Sequence, residues 1–340
     1  MALTRRALLR TAPAALLRPC LSRAATITDD VKRAVTTPDK VHHVFPAGPE
    51  AAILLYTLAP QMLMGWTKPN TPRACTYLLE NICRRPDLGH LADGNRNPNL
   101  DRIKALKPDL ILDVGGTDPD YAVLADWVQK ETGIPYALLD GRALSLSTSY
   151  EKLGRLIGRE AEGADFADYC NQTLGVITNR IAFVPPEQRP RIYYAGGPKG
   201  LTTGRGGAIE MELIELLARN AAGDTQGGIV DVTLEQVRAF DPDIILAADL
   251  RLLAALRTDP GWSSMKAMRE GRSHATPQLP FDWIFALPSA NRLIGLWWLA
   301  TLLYPQHFKE DLRDTARDFF DRFYHTTPSA AQIEQALSSS

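Results

Sequence analysis

The segment with the most evident binding chemistry is a glycine-rich stretch at residues 196–207. It contains six glycines together with Arg205 and leads into a predicted helix at Ala208. Glycines allow a backbone to approach a ligand closely, and a helix start favours an anion. Arg205 could hold a carboxylate, a phosphate or another oxyanion with two parallel hydrogen bonds. The stretch matches neither the Walker pattern nor GxGxxG, so it does not indicate a nucleotide site, and a plain surface loop is the alternative.

Aromatic side chains lie in other predicted connections. Trp66, Tyr194, Phe281 and Trp283 could form the walls of an apolar cleft for a macrocycle or an aryl chelate, although each alone is more typical of a core. Arg292 lies near a predicted helix start, where a positive charge is unfavourable. We therefore predict that Arg292 binds a ligand or a partner, with an ordinary surface arginine as the alternative.

The sequence shows no cluster of side chains with metal-ligand spacing. The six histidines are scattered, apart from His42 and His43, which are adjacent on a predicted strand and therefore face opposite sides. Cys75 and Cys83 lie in a predicted helix over 72–84, where about 12 Å of rise would be too far for a disulfide. We predict no protein metal site, no cofactor and no cysteine chemistry. A metal would arrive inside a chelator, and an oxyanion such as molybdate is the alternative.

Strands that alternate with helices must position these residues. This alternation runs through residues 26–141 and restarts through residues 185–326, which predicts two α/β sandwich lobes with parallel strands. The two halves resemble each other at residues 106–112 and 240–246. In both, a helix ends before a proline and a buried apolar strand follows, because proline disfavours helical geometry in the residue before it.

One long helix is predicted to join the lobes. Residues 142–184 keep an approximate helical periodicity, so we expect a rigid connection that limits closure around a ligand cleft between the lobes. Residues 327–340 are predicted to be a disordered tail. In open α/β sheets, ligands bind beyond the carboxyl ends of the strands, and this rule selects four connections: residues 64–66, 115–118, 194–207 and 277–283.

Residues 1–25 have the features of an export signal. The pair Arg5 and Arg6 precedes a modest apolar stretch, and small residues follow at 22–24. We predict a twin-arginine signal that is removed on export; a mis-assigned start or a short basic tail is the alternative. The formal net charge of -1 argues against nucleic-acid binding, and the sequence has no apolar run of the ~18 residues that a membrane helix needs.

Four segments carry a resemblance to a known family. Residues 86–89 and 99–110 resemble its N-lobe motif, residues 231–243 resemble its C-lobe counterpart, and residues 262–272 resemble the stretch before its last strand. In order and spacing they look like the periplasmic binding proteins for ferric siderophores, haem, cobalamin and related metal chelates. The resemblance implies two lobes joined by a helix, delivery of a chelate to an ABC permease and ATPase complex, and no enzymatic activity.

The resemblance also implies two docking residues. In that family an acidic residue on each lobe binds arginines of the permease, and by position these residues are Asp101 and Glu235 here. The family usually has Glu at the first position, so Asp101 keeps the charge but shortens the reach by one methylene. Exposed carboxylates guide orientation and encounter, and the alternative is that both merely complement a helix dipole.

The predicted function is that of a periplasmic receptor of an ABC importer. It would bind a metal chelate such as a ferric siderophore, act as a monomer and contact the membrane only peripherally, through the permease. A corrinoid, haem or a molybdate-type oxyanion is the alternative ligand. An α/β enzyme or a metallocluster-handling protein is the alternative of another class, although the sequence contains no GxSxG elbow and no dinucleotide fingerprint.

Overall fold

The computed structural model describes residues 24–91, 99–223, 225–286 and 288–338. Nearly all of the predicted export signal, residues 1–25, therefore lies outside the described residues. The helices are α1 Pro49–Leu58, α2 Pro72–Cys75, α3 Glu80–Cys83, α4 Leu100–Leu106, α5 Pro119–Thr132, α6 Leu146–Ile157, α7 Glu160–Ile181, α8 Glu212–Leu217, α9 Leu234–Phe240, α10 Leu250–Thr258, α11 Pro260–Ser263, α12 Lys266–Arg269, α13 Asn291–Leu303, α14 Leu312–Phe319 and α15 Ala330–Leu337. The strands are β1 Thr26–Thr28, β2 Ala34–Thr36, β3 Val44–Pro46, β4 Leu110–Gly115, β5 Tyr136–Asp140, β6 Arg191–Ala195, β7 Thr202–Gly204, β8 Arg219–Asn220, β9 Ile229–Asp231, β10 Ile244–Ala247 and β11 Ser273–Ala275.

Each lobe is built around a parallel sheet, which confirms the predicted fold class of two α/β lobes. In the N lobe the strand order is β3-β4-β5, and in the C lobe it is β11-β10-β6-β8. Apart from Asp113, the residues of β4 and β10 are apolar and mostly buried, because helices cover both faces of the sheets. The small antiparallel pairs β1-β2 and β7-β9 lie outside these sheets.

The internal resemblance between the lobes holds at the level of single residues. The helices α4 and α9 both end in a left-handed residue, Lys107 at φ 51° and Asp241 at φ 43°. After the following proline, an aspartate immediately precedes each central strand. Asp109 accepts hydrogen bonds from the backbone N–H groups of His42 and His43, and Asp243 accepts one from Arg191 at 2.8 Å. The same local sequence therefore makes the same strand-to-strand connection twice.

The connection between the lobes is shorter than the predicted helix 142–184. The helix α6 ends at Gly158, whose φ of 68° is left-handed, and the chain then turns back into α7. The two helices pack so closely at Gly154 and Gly163 that a Cβ atom on Gly163 would lie 2.7 Å from the carbonyl oxygen of Tyr150. Helical periodicity continues on both sides of this turn, which is why the sequence pattern did not reveal it. The helix that leads into the C lobe is α7, with 22 residues.

The C-terminal segment packs back onto the N lobe. Tyr324, in a π-helical turn at Phe320–Tyr324, accepts a hydrogen bond from the Tyr56 hydroxyl at its carbonyl oxygen, and the Tyr77 hydroxyl donates to the carbonyl oxygen of Gln332. The prediction of a disordered tail over 327–340 is wrong for the described part, because a Ser329–Gln332 capping box starts α15, and this helix buries two apolar side chains, Ile333 and Ala336.

The prediction for the cysteines is also wrong. The expected helix over 72–84 is two short helices joined by a turn, with Cys75 at the end of α2 and Cys83 at the end of α3. Their Cα atoms are 5.6 Å apart, and the two residues form a disulfide bond. The spacing argument failed because it assumed one straight helix. Cys170 is buried on α7 as a free thiol, and burial raises its pKa to about 12.

Candidate ligand-binding site

A cleft of about 670 Å³ lies between the lobes, beyond the carboxyl ends of the N-lobe strands. Its volume falls within the range of small-molecule sites. The N-lobe wall comprises the start of α1, the end of β4 with the loop after it, and Arg142 after β5; the C-lobe wall comprises residues 207–210 and 227–228. Of the four predicted connections, residues 115–118 contribute to the lining, residues 194–207 contribute only Gly207, and the other two do not contribute.

Glu50 brings a carboxyl group to the cleft in the first turn of α1. Gly48 and Pro49 start this helix, because proline suits the first helical position. Desolvation is the main reason that the pKa of Glu50 rises from 4.5 to about 7, and the nearby Asp113 carboxylate raises it further. The Glu50 N–H group and the positive charges of Arg292 and Lys68 act in the opposite direction. Glu50 can therefore gain or lose a proton near neutral pH.

Asp113 supplies a second carboxyl group to the same wall. It lies within β4, and its side chain accepts hydrogen bonds from the Tyr136 hydroxyl at 2.7 Å and from the Val114 N–H group at 2.9 Å. Desolvation raises the pKa of Asp113 in spite of these hydrogen bonds, which lower it. The Arg33 guanidinium lies over the Tyr136 ring at 5.5 Å from its centroid. The N-lobe wall is thus polar, acidic and held in place by hydrogen bonds.

The C-lobe wall consists mainly of backbone and small residues. Gly207, Ala208, Gly227 and Gly228 line it, and Glu210 adds one carboxylate. The β7-β9 pair holds this wall, and Gly207 adopts a φ of 76°, a conformation that favours glycine. A Cβ atom added at Gly228 would meet nothing within 4 Å. Ile209, Glu210 and Pro288 are the larger residues of this wall, and the glycines leave open space between them.

The predicted aromatic residues do not line the cleft. Trp66 and Trp283 are 3% and 0% exposed, and their indole N–H groups donate to the carbonyl oxygens of Ile82 and Leu279, each at 2.8 Å. Tyr194 is also buried, and its ring stacks on the Phe285 ring with 3.7 Å between centroids. These side chains belong to the core, because the connections that carry them fold inward.

The two predicted arginines take different places near the cleft. Arg292 is fully buried and forms an ion pair with Glu212, with 2.9 Å between Nη1 and Oε2, so it is not a surface arginine and does not line the cleft. Arg205 is partly exposed and lies just behind the C-lobe wall. Its backbone N–H group donates to the Gly228 carbonyl oxygen at 3.0 Å. A direct ligand contact of Arg205 remains a prediction.

The sequence reasoning missed the residues that do line the cleft, chiefly Glu50, His90, Asp113 and Arg142. One signal was available for Asp113. It is the only charged residue in the strand sequence LILDVG, and it lies toward the carboxyl end of that strand, where ligands bind. Glu50 carried no comparable signal, because an acidic residue in a first helical turn is common.

The predicted docking residues occupy equivalent positions on the two lobes. Asp101 is the second residue of α4, after the N-cap Asn99, and Glu235 is the second residue of α9, after the N-cap Thr233. Both are exposed. The N–H group of Glu235 itself, followed by the Thr233 hydroxyl, lowers the pKa of the Glu235 carboxyl. The structure thus places an exposed carboxylate at the matching helix start of each lobe, while permease docking itself remains a prediction.

Within the described ranges, no three histidine, cysteine, aspartate or glutamate side chains come together in a way that could hold a metal ion. In the same part of the chain, no helix combines the length and the apolar character required to cross a membrane.

Comparison with known proteins identifies the family. The family described as Periplasmic binding protein matches residues 80–278, more than half of the chain. The chain is 25% identical over 331 residues to the Molybdate-binding protein MolA of Haemophilus influenzae, covering 88% of this chain and 91% of that protein. It is 28% identical over 224 residues to YvrC of Bacillus subtilis, described as an uncharacterized ABC transporter substrate-binding lipoprotein, covering 64% of this chain and 68% of that protein.

A solved structure shows the same fold. The ABC transporter solute binding protein from Sulfurospirillum deleyianum superposes with a TM-score of 0.82 at 23% identity, covering 92% of this chain and 99% of that one.

Proposed function

This chain belongs to the periplasmic binding protein family, and we propose that it is the extracytoplasmic receptor of an ABC importer for a metal chelate, such as a ferric siderophore. Binding proteins of this family deliver a small-molecule ligand to an ABC permease. The Cys75–Cys83 disulfide is consistent with an oxidising compartment outside the cytoplasm. In this proposal the chain binds and releases its ligand without chemical change.

The charge and size of the cleft support a chelate over a bare oxyanion. The carboxyl groups of Glu50, Asp113, Asp118 and Glu210 line about 670 Å³ of space, and Arg142 is the one guanidinium among the described lining residues. Glu50 carries only part of its charge at neutral pH, because its pKa is about 7. Carboxylates repel a bare oxyanion, whereas they attract a cationic complex and accept hydrogen bonds from hydroxyl and amide groups. A four-oxygen anion would also leave most of this volume empty. A chelate whose organic shell carries hydrogen-bond donors fits both the acidic lining and the volume of the cleft.

Molybdate is the second candidate ligand, because the relative MolA is named for binding it. In that case the ligand would need donors that outweigh the acidic wall, such as the backbone N–H groups of the glycine-rich C-lobe wall and the Arg142 side chain. Haem and a corrinoid also satisfy the size of the cleft. An enzyme or a metallocluster-handling protein is the candidate of another class, and it predicts turnover or cluster transfer in place of simple binding.

Titration calorimetry of the purified chain with four ligands tests the proposal. The ligands are ferrioxamine B, haemin, cyanocobalamin and sodium molybdate, and metal-free desferrioxamine B is the matched control. We expect saturable binding of the ferric chelate at one site and much weaker binding of the metal-free form. Saturable binding of molybdate alone would overturn the chelate proposal in favour of the oxyanion.

We also propose that Asp101 and Glu235 dock the receptor on its permease, one on each lobe. The two exposed carboxylates lie at matching helix starts, and complementary charge on a partner sets orientation and encounter rate. Ligand-dependent ATPase stimulation of the cognate importer in proteoliposomes tests this. We expect Glu235→Arg and Asp101→Arg each to reduce stimulation about tenfold through charge repulsion, with ligand affinity unchanged. Normal stimulation by both variants would contradict the docking proposal.

A further inference from the structure

The buried ion pair of Glu212 and Arg292 lies directly behind the cleft, and the Glu212 carboxylate contacts both lobes. The Glu212 carboxylate, on the C lobe, accepts a hydrogen bond from Arg292 Nη1 at 2.9 Å. The same carboxylate accepts hydrogen bonds from two N-lobe backbone N–H groups, those of Ala143 at 2.7 Å and Leu144 at 3.2 Å. We call these four residues the interlobe clamp.

The clamp continues directly into both walls of the cleft. Arg142, the residue before Ala143, lines the N-lobe side, and Glu210, two residues before Glu212, lines the C-lobe side. The N–H groups of Ala143 and Leu144 start the short helical turn that leads into α6, where such groups lack a partner within the helix. Glu212 supplies that partner from the opposite lobe. A change in the distance between Glu212 and Ala143 must therefore change the distance between the two walls.

Arg292 explains why this carboxylate stays in place. The Arg292 side chain is fully buried on α13, and its Nε and Nη2 groups have no hydrogen-bond partner among the described residues. An unpaired buried charge is costly, so the guanidinium strongly favours keeping Glu212 beside it. Surface-exposed ion pairs elsewhere in the chain lack this constraint, because water can replace either partner.

We propose that Glu212 is a positioning residue that fixes the separation of the two cleft walls, with the buried Arg292 holding its carboxylate. The proposal rests on the cleft being the ligand site, as in the proposed function. Its consequence for the empty protein is independent of which ligand binds. When Glu212 can no longer accept both N-lobe hydrogen bonds, the separation of the two cleft walls should no longer have one defined value.

Electron spin resonance distances on the ligand-free, full-length chain provide the test. Spin labels at Glu131→Cys on α5 and Ala254→Cys on α10 report the distance between the lobes, and both positions are exposed. In Glu212→Gln we expect a longer and broader distance distribution. Hydrogen exchange at Ala143 and Leu144 should accelerate about tenfold, because their acceptor is weakened.

Asp165→Asn is the matched control. It also converts an acid to its amide and breaks an ion pair, that of Asp165 with Arg322 at 2.6 Å, but this pair is exposed and lies away from the cleft lining. We expect the control to keep the wild-type distance distribution and the wild-type exchange at Ala143 and Leu144. If Glu212→Gln gives the same results as the control, the inference is overturned.

A second variant covers the case in which Glu212→Gln does not fold, because it leaves Arg292 unpaired. In Glu212→Leu with Arg292→Met, apolar side chains of similar volume replace the pair, a change that buried ion pairs often tolerate. We expect this variant to fold and still to show the broad distance distribution and the fast exchange. A wild-type distribution in the double variant would equally overturn the inference. Neither result depends on the ligand panel, so the clamp and the proposed function can fail separately.

Discussion

The two walls of the cleft come from similarly built lobes, but different elements form them and their chemistry differs. In the repeated segment, Leu110–Asp113 of β4 corresponds to Ile244–Ala247 of β10. Asp113 thus stands on the N lobe where Ala247 stands on the C lobe. The N-lobe wall carries the carboxyl groups of Glu50, Asp113 and Asp118, whereas the C-lobe wall carries that of Glu210 alone among its described residues and is otherwise glycine, alanine, Ile209 and Pro288. From this comparison we propose that the N lobe recognises most of the charge and hydrogen bonds of the ligand, while the C lobe determines the shape of ligand that the cleft accepts.

The largest effect is expected from removing the charge on the N-lobe wall. Asp113→Asn keeps the shape of the side chain and its contact with Tyr136 but removes the charge. A charge-assisted hydrogen bond contributes about 1.5–3 kcal/mol, so the affinity for ferrioxamine B should fall by roughly ten- to a hundredfold. Titration calorimetry measures this. Asp109→Asn, immediately before the same strand, is the control and should lower stability without changing affinity, because Asp109 contacts His42 and His43 and lies away from the cleft lining. An unchanged affinity in Asp113→Asn would contradict the division of roles.

A smaller effect is expected from adding bulk to the C-lobe wall. Gly228→Leu places a side chain at a position that is open around the added Cβ atom. The protein should remain as stable as the wild type while the affinity for the chelate falls about tenfold, because the ligand and the new side chain compete for space. Gly175→Leu on α7 is the control, since its Cβ atom also meets nothing within 4 Å and the residue lies away from the cleft lining. If Gly228→Leu binds the chelate with the affinity of the wild type, this wall does not determine the shape of ligand that the cleft accepts.

The last effect concerns stability and not affinity, and it is a pH dependence that comes from Glu50. Its pKa is raised from 4.5 to about 7 in the folded protein, so the folded state binds this proton more tightly than the unfolded chain does. The contribution of Glu50 to the free energy of unfolding is therefore constant below about pH 4.5 and decreases as the pH rises toward 7.

Urea unfolding at pH 5 and pH 8 tests this contribution. Glu50→Gln should show a smaller loss of stability between these two values than the wild type does, because glutamine does not titrate. Glu187→Gln, at an exposed turn, is the control and should behave as the wild type does. Equal pH dependence in all three proteins would show that Glu50 is as free to ionise as a surface carboxylate.

Local sequence signals predicted well those secondary-structure elements whose position depends on a few neighbouring residues. The proline that follows α4 and α9, and the aspartate after it, marked the start of each central strand, and the structure confirms both. The prediction of one continuous helix failed between Gly154 and Gly163. Two helices packed against each other show the same apolar periodicity as one continuous helix. The prediction from spacing also failed at Cys75 and Cys83, where a turn between two short helices brings the sulfur atoms together.

The side chains of the site were harder to predict than the elements. Trp66, Tyr194 and Trp283 lie in or next to connections that follow strands, as a ligand-binding residue would, and yet all three are buried. Whether a side chain at such a position points to the cleft or to the core depends on the path of the connection. That path depends on packing against segments far away in the chain, which a local pattern does not contain.

The sequence by itself determined the two α/β lobes with parallel strands, because hydrophobic periodicity and proline positions act over a few residues, and its motifs carried the resemblance to the family. Only the tertiary structure decided which residues form the cleft. It brought Glu50 and Asp113 of the N lobe opposite Gly207 and Gly228 of the C lobe, and it placed Arg292 behind them. These residues are distant in sequence, and the cleft exists only because α7 and the returning C-terminal segment hold both lobes around a shared core.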